Sequence, residues 1–298
     1  MEKAIRYHLG KDIIHKTQLT GGYTFQTWLL TLSDNQKVVF RHQRDFETGG
    51  GRHICTKDVL EREKFFYDNV NKEIGHICPK VYVVDGTCEY HDHSFCIMEY
   101  IEGVPLNQCF LDAKSKRRVL YQIGEIAARI NSMEIDKNHP YVINRGLWEV
   151  FVAERLRDRF IPLHKVITQD EAEIIADKIN TKKASKTLSF LHLDMRHINM
   201  ILKKGSIFLL DAENCEFGDP LYELATIDCA GELDQSLIDG YKNAYTGNID
   251  LKDELYYFYK MERAALVLHV FMNVVKTDTE TTKKYLSMFN ELKKRLTQ

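Results

Sequence analysis

One stretch constrains this chain more than any other. It is Phe190-Leu191-His192-Leu193-Asp194-Met195-Arg196-His197-Ile198-Asn199-Met200-Ile201-Leu202, followed by Ile207-Phe208-Leu209-Leu210-Asp211-Ala212-Glu213. Apolar runs flank a loop of His, Asp, Arg and Asn. A hairpin follows, with Lys203-Lys204-Gly205-Ser206 as its turn. Asp194 and Asn199 flank one loop, so both can face a ligand held above it. Asp211 returns to the same neighbourhood when the hairpin closes. Two carboxylates and an amide are hard oxygen ligands, suited to Mg²⁺ carrying phosphates and waters.

The rest of the chain changes character near residues 99–103. Before that point, alternating apolar and β-branched residues predict strands at 13–19, 25–32, 37–41, 80–84 and 94–100. A helix over 57–70, with Leu60 and Lys64 one turn apart and Phe65, Phe66 and Val70 on its apolar side, interrupts them after the third. Beyond Gly103 the periodicity is helical over 113–133, 148–161 and 169–180, and again after Pro220. In the first of these, Val119, Ile123, Ile126, Ala127 and Ile130 form one stripe. There is no internal repeat and no low-complexity linker. The expected organisation is an amino-terminal part, 1–102, rich in strands, and a mostly helical part, 103–298.

Composition narrows the partners. A chain of 298 residues with 44% hydrophobic content can bury a core without disulfides or a structural metal. Lys and Arg total 41 against 43 Asp and Glu, so no global basic field favours a nucleic acid. The seven cysteines are scattered, with no Cys-x-x-Cys pair, which reads as reduced thiols in a cytoplasm. No signal-peptide core opens the chain, and its apolar runs are too short to span a bilayer. The expectation is therefore a cytoplasmic protein with no membrane and no obligate protein partner. His91-Asp92-His93 lies between strand-like runs and reads as a hairpin tip, since no further ligands stand at a metal-site spacing.

His192-x-Asp194 followed by Asn199, with Asp211-x-Glu213 twelve residues after Asn199, resembles the aminoglycoside phosphotransferase family. Choline, fructosamine and methylthioribose kinases are relatives of that family. Phe217-Gly218-Asp219-Pro220-Leu221-Tyr222-Glu223 also resembles it, as the turn that opens a helix. The resemblance spans roughly residues 15–225. It implies an α+β, two-lobed, protein-kinase-like fold: a small antiparallel sheet lobe with one helix, and a larger helical lobe.

The resemblance also implies roles. Asp194 would accept the proton of a substrate hydroxyl, His192 would brace the loop, and Arg196 would reach the γ-phosphate. Asn199 and Asp211 would hold Mg²⁺ on ATP, with Glu213 in support. Gly21-Gly22-Tyr23-Thr24 would cover the phosphates through backbone N–H groups. Arg41, where protein kinases carry lysine, would meet the phosphates. Glu63 is the best match for its carboxylate partner, with Glu61 second. Met98 would sit behind the adenine, and the backbones of Glu99 and Ile101 would bond its edge.

The implied activity is ATP-dependent transfer of a phosphoryl group to a small-molecule hydroxyl, with an aminoglycoside or related antibiotic first. Residues 205–262 hold 13 Asp or Glu against three Lys, a balance of −10 that suits a cationic acceptor. The aromatic set Tyr241, Tyr245, Tyr256, Tyr257, Phe258 and Tyr259 offers either a cage for an amino alcohol such as choline or ordinary core. A metabolic kinase for an amino alcohol or sugar is the alternative. A nucleotide-binding module without catalysis is a third reading, motivated by Arg41. The absence of Asp-Phe-Gly and Ala-Pro-Glu segments argues against a kinase acting on polypeptides.

Overall fold

A computed structural model describes residues 1–19, 25–43, 56–134, 147–182, 188–276 and 279–298. Five antiparallel strands form the first sheet: β1 (Ile13–Leu19), β2 (Phe25–Leu32), β3 (Lys37–Gln43), β4 (Val81–Asp85) and β5 (Phe95–Glu99). Their spatial order is β1-β2-β3-β5-β4. One element was not expected from the sequence. Glu2–Leu9 forms a helix, α1, and its Ala4 and Ile5 pack with Leu30, Leu32, Val38, Phe40, Phe95 and Ile97 of the sheet. Only two of its eight residues are buried, so its apolar signal is short. The inserted helix, α2 (Thr56–Ile74), lies in sequence between β3 and β4.

The chain falls into two compact units. The first holds Met1–Phe110 and His197–Cys215; the second holds Leu111–Arg196 and Glu216–Gln298. The predicted hairpin is β8 (Met200–Lys203) with β9 (Ser206–Leu209) and belongs to the first unit. Its two-residue turn, Lys204-Gly205, has positive φ at both positions, the geometry that matches strand twist. β8 also pairs with β6 (Val104–Pro105). A Cβ on Gly103 would lie 2.5 Å from Ile201 and 2.8 Å from the Leu202 carbonyl, so this approach requires glycine.

In the second unit, α3 (Ala113–Asn131) carries the predicted stripe, with Val119, Ile123, Ala127 and Ile130 buried. It is followed by α4 (Trp148–Phe160), α5 (Gln169–Asn180) and β7 (Ser189–Leu191). β7 pairs with β10 (Glu216–Gly218), and Phe190 stacks on Phe217 across the pair at 4.9 Å. Among the described residues the helices that follow are α6 (Pro220–Ala230), α7 (Gln235–Ala244), α8 (Glu254–His269), continued by a π-helical turn over Val270–Val275, and α9 (Thr279–Thr297). α3 and α7 cross at Gly124 and Gly240, where an added Cβ would come within 2.0 Å of backbone oxygen on the other helix. Among the described residues no helix is long and apolar enough to cross a membrane.

The architecture is α+β, an antiparallel sheet unit with a mostly helical remainder. His91 and His93 are packed beside His42, with ring centroids 4.6 and 5.8 Å from it. Burial, with the amino terminus and His42 adding to it, pushes His91 down to about 4.

Candidate active site

In the first unit, Arg41 on β3 and Glu63 on α2 meet in a dry setting. Arg41 Nη1 donates to Glu63 Oε1 at 2.8 Å and Oε2 at 2.9 Å, and the Glu63 side chain is 1% exposed. Arg41 Nη2 donates to Asp211 Oδ1 at 3.0 Å. The guanidinium also lies over the Phe25 ring, 4.4 Å from its centroid. Two further donors complete Glu63: Tyr67 Oη at 2.7 Å and the Ala212 backbone N–H at 3.1 Å. Burial pulls Arg41 toward deprotonation, but the Glu63 and Asp211 carboxylates outweigh it, so the guanidinium is held well above its ordinary range. A buried cation of this kind needs such partners.

Asp211 follows β9 with φ of 63°, a left-handed conformation that aspartate tolerates better than most residues. Its side chain is 35% exposed. The backbone ties its neighbourhood to the polar loop, since Leu210 N–H donates to the Asn199 carbonyl at 2.8 Å. The carbonyl of Glu213 accepts from Arg62 Nη2 at 2.6 Å. Met98 is buried with Phe25, Val39, Val59, Leu60 and Cys96. Glu99 Oε2 lies 2.6 Å from His76 Nε2. Ile101 packs on Ile201 and Phe208. Gly21, Gly22, Tyr23 and Thr24 lie outside the described residues.

In the second unit, His192 and Asp194 are buried on the loop after β7. The loop is gripped from below by Glu223 of α6. Its carboxylate accepts the backbone N–H of His192 at 2.6 Å and of Leu193 at 3.0 Å. Leu193 has φ of 59°, a strained conformation for a γ-branched residue, and Glu223 anchors the peptide on its amino side. His192 Nδ1 accepts the Asp194 N–H at 3.2 Å. Burial raises Glu223 to about 7, with Asp194 adding to the rise against the two N–H donors and Arg263.

Asp194 faces two guanidiniums. Arg196 Nε donates to Oδ1 at 2.6 Å and Nη2 to Oδ2 at 2.9 Å, and Arg263 of α8 also donates to Oδ1. Burial disfavours the charged carboxylate, yet Arg263 and then Arg196 and His192 outweigh it and hold Asp194 below its ordinary range. Below the loop, Asn131 Nδ2 donates to the Phe190 carbonyl at 2.8 Å, and Asn131 Oδ1 accepts from the Tyr241 hydroxyl at 2.6 Å. Asp219 caps α6 by accepting the Leu221 N–H at 2.9 Å. A Cβ on Gly218 would lie 2.4 Å from the Trp148 ring, so the Gly-Asp-Pro turn needs glycine there.

The model of the phosphotransferase enzyme family matches residues 16–257. The chain belongs to that family. No curated protein sequence matches the phosphotransferase. Solved structures do. A thermostable mutant of aminoglycoside phosphotransferase APH(4)-Ia, in a ternary complex with AMP-PNP and hygromycin B, has TM-score 0.67 at 14% identity, covering 99% of this chain and 98% of that one. ADP-bound APH(2'')-Ib has TM-score 0.66 at 16% identity, with 99% and 97% covered. The spectinomycin phosphotransferase APH(9)-Ia, with ADP and spectinomycin, has TM-score 0.63 at 11% identity, with 99% and 96% covered. These likenesses establish the fold.

Two residues of the phosphotransferase escaped the sequence. Arg263 lies just past the acidic stretch 205–262 and had no motif to mark it. Glu223 stands inside the quoted Gly-Asp-Pro run, but its target, the backbone of His192 and Leu193, is 30 residues or more away. The aromatic set also resolves. Tyr241, Phe258 and Tyr259 are fully buried and Tyr256 nearly so, while Tyr257 stacks under Arg295 at 3.6 Å.

Proposed function

We propose that this phosphotransferase moves the γ-phosphoryl group of ATP to a hydroxyl of a small molecule. The observation that carries the reading is the buried set Arg41, Glu63 and Asp211, which joins β3, α2 and the segment after β9 in one network. Such a network would hold a cation for a polyphosphate. Arg41 would meet the phosphates, held by Glu63. The backbones of Glu99 and Ile101 would receive the adenine edge, beside Met98. Asp211 and Asn199 fit Mg²⁺: a partly exposed carboxylate and an amide are hard oxygen donors, with Glu213 two residues on. When bound, the ion neutralises charge on the phosphates. Asp194 would orient the acceptor hydroxyl and take its proton as the new P–O bond forms and the bond to ADP breaks. His192 would brace the loop through Nδ1.

The acceptor is a finer proposal. An aminoglycoside or related antibiotic is supported by the hygromycin B and spectinomycin in the solved neighbours. A hydroxylated metabolite is favoured by one observation. Most acids of the 205–262 stretch are already engaged. Asp219, Asp234 and Asp253 cap helices, Glu223 holds a loop, and Asp228, Glu254 and Glu262 sit in ion pairs. The deciding experiment is a nucleotide-consumption screen over antibiotics, amino alcohols and sugars, with the phosphorylated product identified by mass spectrometry. Asp194→Asn should retain ATP binding and lose roughly 10²–10⁴-fold in turnover. Retention of most of the rate would remove Asp194 from its role.

A further inference from the structure

We propose that Arg263 is a positioning residue for Asp194, aiming the carboxylate at the acceptor from the rigid helix α8. The inference rests on the kinase reading of Asp194 and adds a residue that no motif supplies.

α8 is anchored along its length. Asp253 caps its start by accepting the Leu255 N–H at 2.9 Å. Tyr256 and Lys260 both donate to Asp228 Oδ2 on α6, at 2.6 and 2.5 Å. Tyr259 donates to Asp219 and receives the Trp148 indole N–H at 2.8 Å. Glu262, 1% exposed, takes Arg155 and Arg159 of α4 and the Tyr222 hydroxyl of α6. The next residue, Arg263, leaves this network and turns about 100° around the helix, where its guanidinium meets Asp194. It is 8% exposed, so the charge has been withdrawn from water toward that carboxylate. A buried arginine is costly unless paired, and here the pairing partner is the candidate base.

Arg196 cannot perform the same task alone. It stands two residues from Asp194 on the same loop and is 39% exposed, so it moves with the group it clamps. Arg263 comes from a separate element, 69 residues away, and fixes the carboxylate relative to the helical unit. The groups facing Asp194 are His192 and Arg196 on its own loop, Arg263 on α8, Glu223 on α6 and Tyr285 on α9. Of these, Arg263 exerts the largest charge effect that keeps Asp194 ionised. Removing it should therefore free the carboxylate to turn and let it take up a proton at higher pH.

The test uses the full chain, with Arg263→Gln and the charge-keeping Arg263→Lys. Carboxyl ¹³C NMR, with Asp194 identified through Asp194→Asn, reads its titration without any turnover. In Arg263→Gln that titration should move to higher pH, and in Arg263→Lys it should stay near the wild-type position. With the acceptor found in the screen, kcat should fall roughly 10- to 100-fold in Arg263→Gln, the effect of a small misplacement of a reacting group. Its acid limb should move the same way as the titration, and MgATP affinity should be unchanged. Arg263→Lys should recover part of kcat. A lower melting temperature with an unmoved Asp194 titration and an unmoved acid limb would make Arg263 merely structural. If the wild-type chain phosphorylates no acceptor, the kinase reading falls and the catalytic role of Arg263 falls with it. The NMR titration then still reports whether the two residues are coupled.

Discussion

Arg41 and Glu63 stand 22 residues apart in sequence and share two hydrogen bonds, of 2.8 and 2.9 Å, away from water. The pair is completed by Tyr67, one helical turn beyond Glu63, and by Asp211 on the cation. Removing one member leaves the other's charge buried, at a cost of about 3–5 kcal/mol. Arg41→Ala and Glu63→Ala should each lower urea stability and ATP affinity. The double variant should lose much less than the two losses added together, because each single change already disables the same pair. Arg41→Lys should retain part of the affinity, since the charge survives and the fork does not. Titration calorimetry with ATP and urea unfolding measure both effects. Additive losses would mean the two residues act independently.

Asp211 is the carboxylate of this network that reaches solvent. Asp211→Ala and Asn199→Ala should weaken ATP binding more in the presence of Mg²⁺ than in its absence. Asp211→Ala also removes a partner of Arg41, and the metal-free titration isolates that contribution. Equal losses with and without Mg²⁺ would assign both residues to structure alone.

Much of this was readable in the sequence. Runs of β-branched, aromatic and apolar residues between turn residues located β1, β2 and β3, although β1 has no buried residue and β3 is buried throughout residues 38–42. Arg41 with Glu63 was implied by the family resemblance, and the two side chains meet. The hairpin turn at Lys204-Gly205 was legible in its residues. Arg263 and Glu223 were not. Their partners are fixed by helix packing in the second unit, and a single arginine or glutamate on a helix carries no periodic signal of what it will face. The acidic surplus leaves the acceptor open for a related reason, since composition counts charges but not their partners. α1 was missed because only Ala4 and Ile5 of its eight residues are buried.

Glu223 makes a prediction in pH. Its folded value is raised to about 7 from 4.5, burial being the main cause. The folded state thus binds the proton more tightly than the unfolded chain. This contribution to stability is fully present below about 4.5 and is lost as pH rises through about 7. The size is about 3 kcal/mol, at 1.36 kcal/mol per unit. Glu223→Gln removes the titration, so its stability should decline less than that of the wild type over this range. Thermal or urea unfolding at several pH values, on both proteins, measures the difference. Parallel curves would show that Glu223 titrates normally.

The last prediction concerns the charge of the acceptor. Exposed, unpaired carboxylates would attract a polycation, and salt would screen that attraction over ~8–10 Å at physiological ionic strength. In the second unit, however, several of the acids in the 205–262 stretch are held in ion pairs. Asp228 holds Lys260, Glu254 holds Lys178 and Lys182, and Glu262 is held at about 2 by Arg155 and Arg159 against its burial. Asp194 itself faces Arg196 and Arg263. A polycationic acceptor therefore gains little long-range attraction, and its dissociation constant should vary only shallowly between low and high salt. Kanamycin, choline and ribose, titrated at both salts with ATP as the internal comparison, provide the measurement. A steep loss of kanamycin affinity with salt, absent for ribose, would restore the acidic acceptor surface that composition suggested. A flat response, with choline or ribose phosphorylated in preference, would place the acceptor among hydroxylated metabolites and leave the kinase chemistry of Asp194 intact.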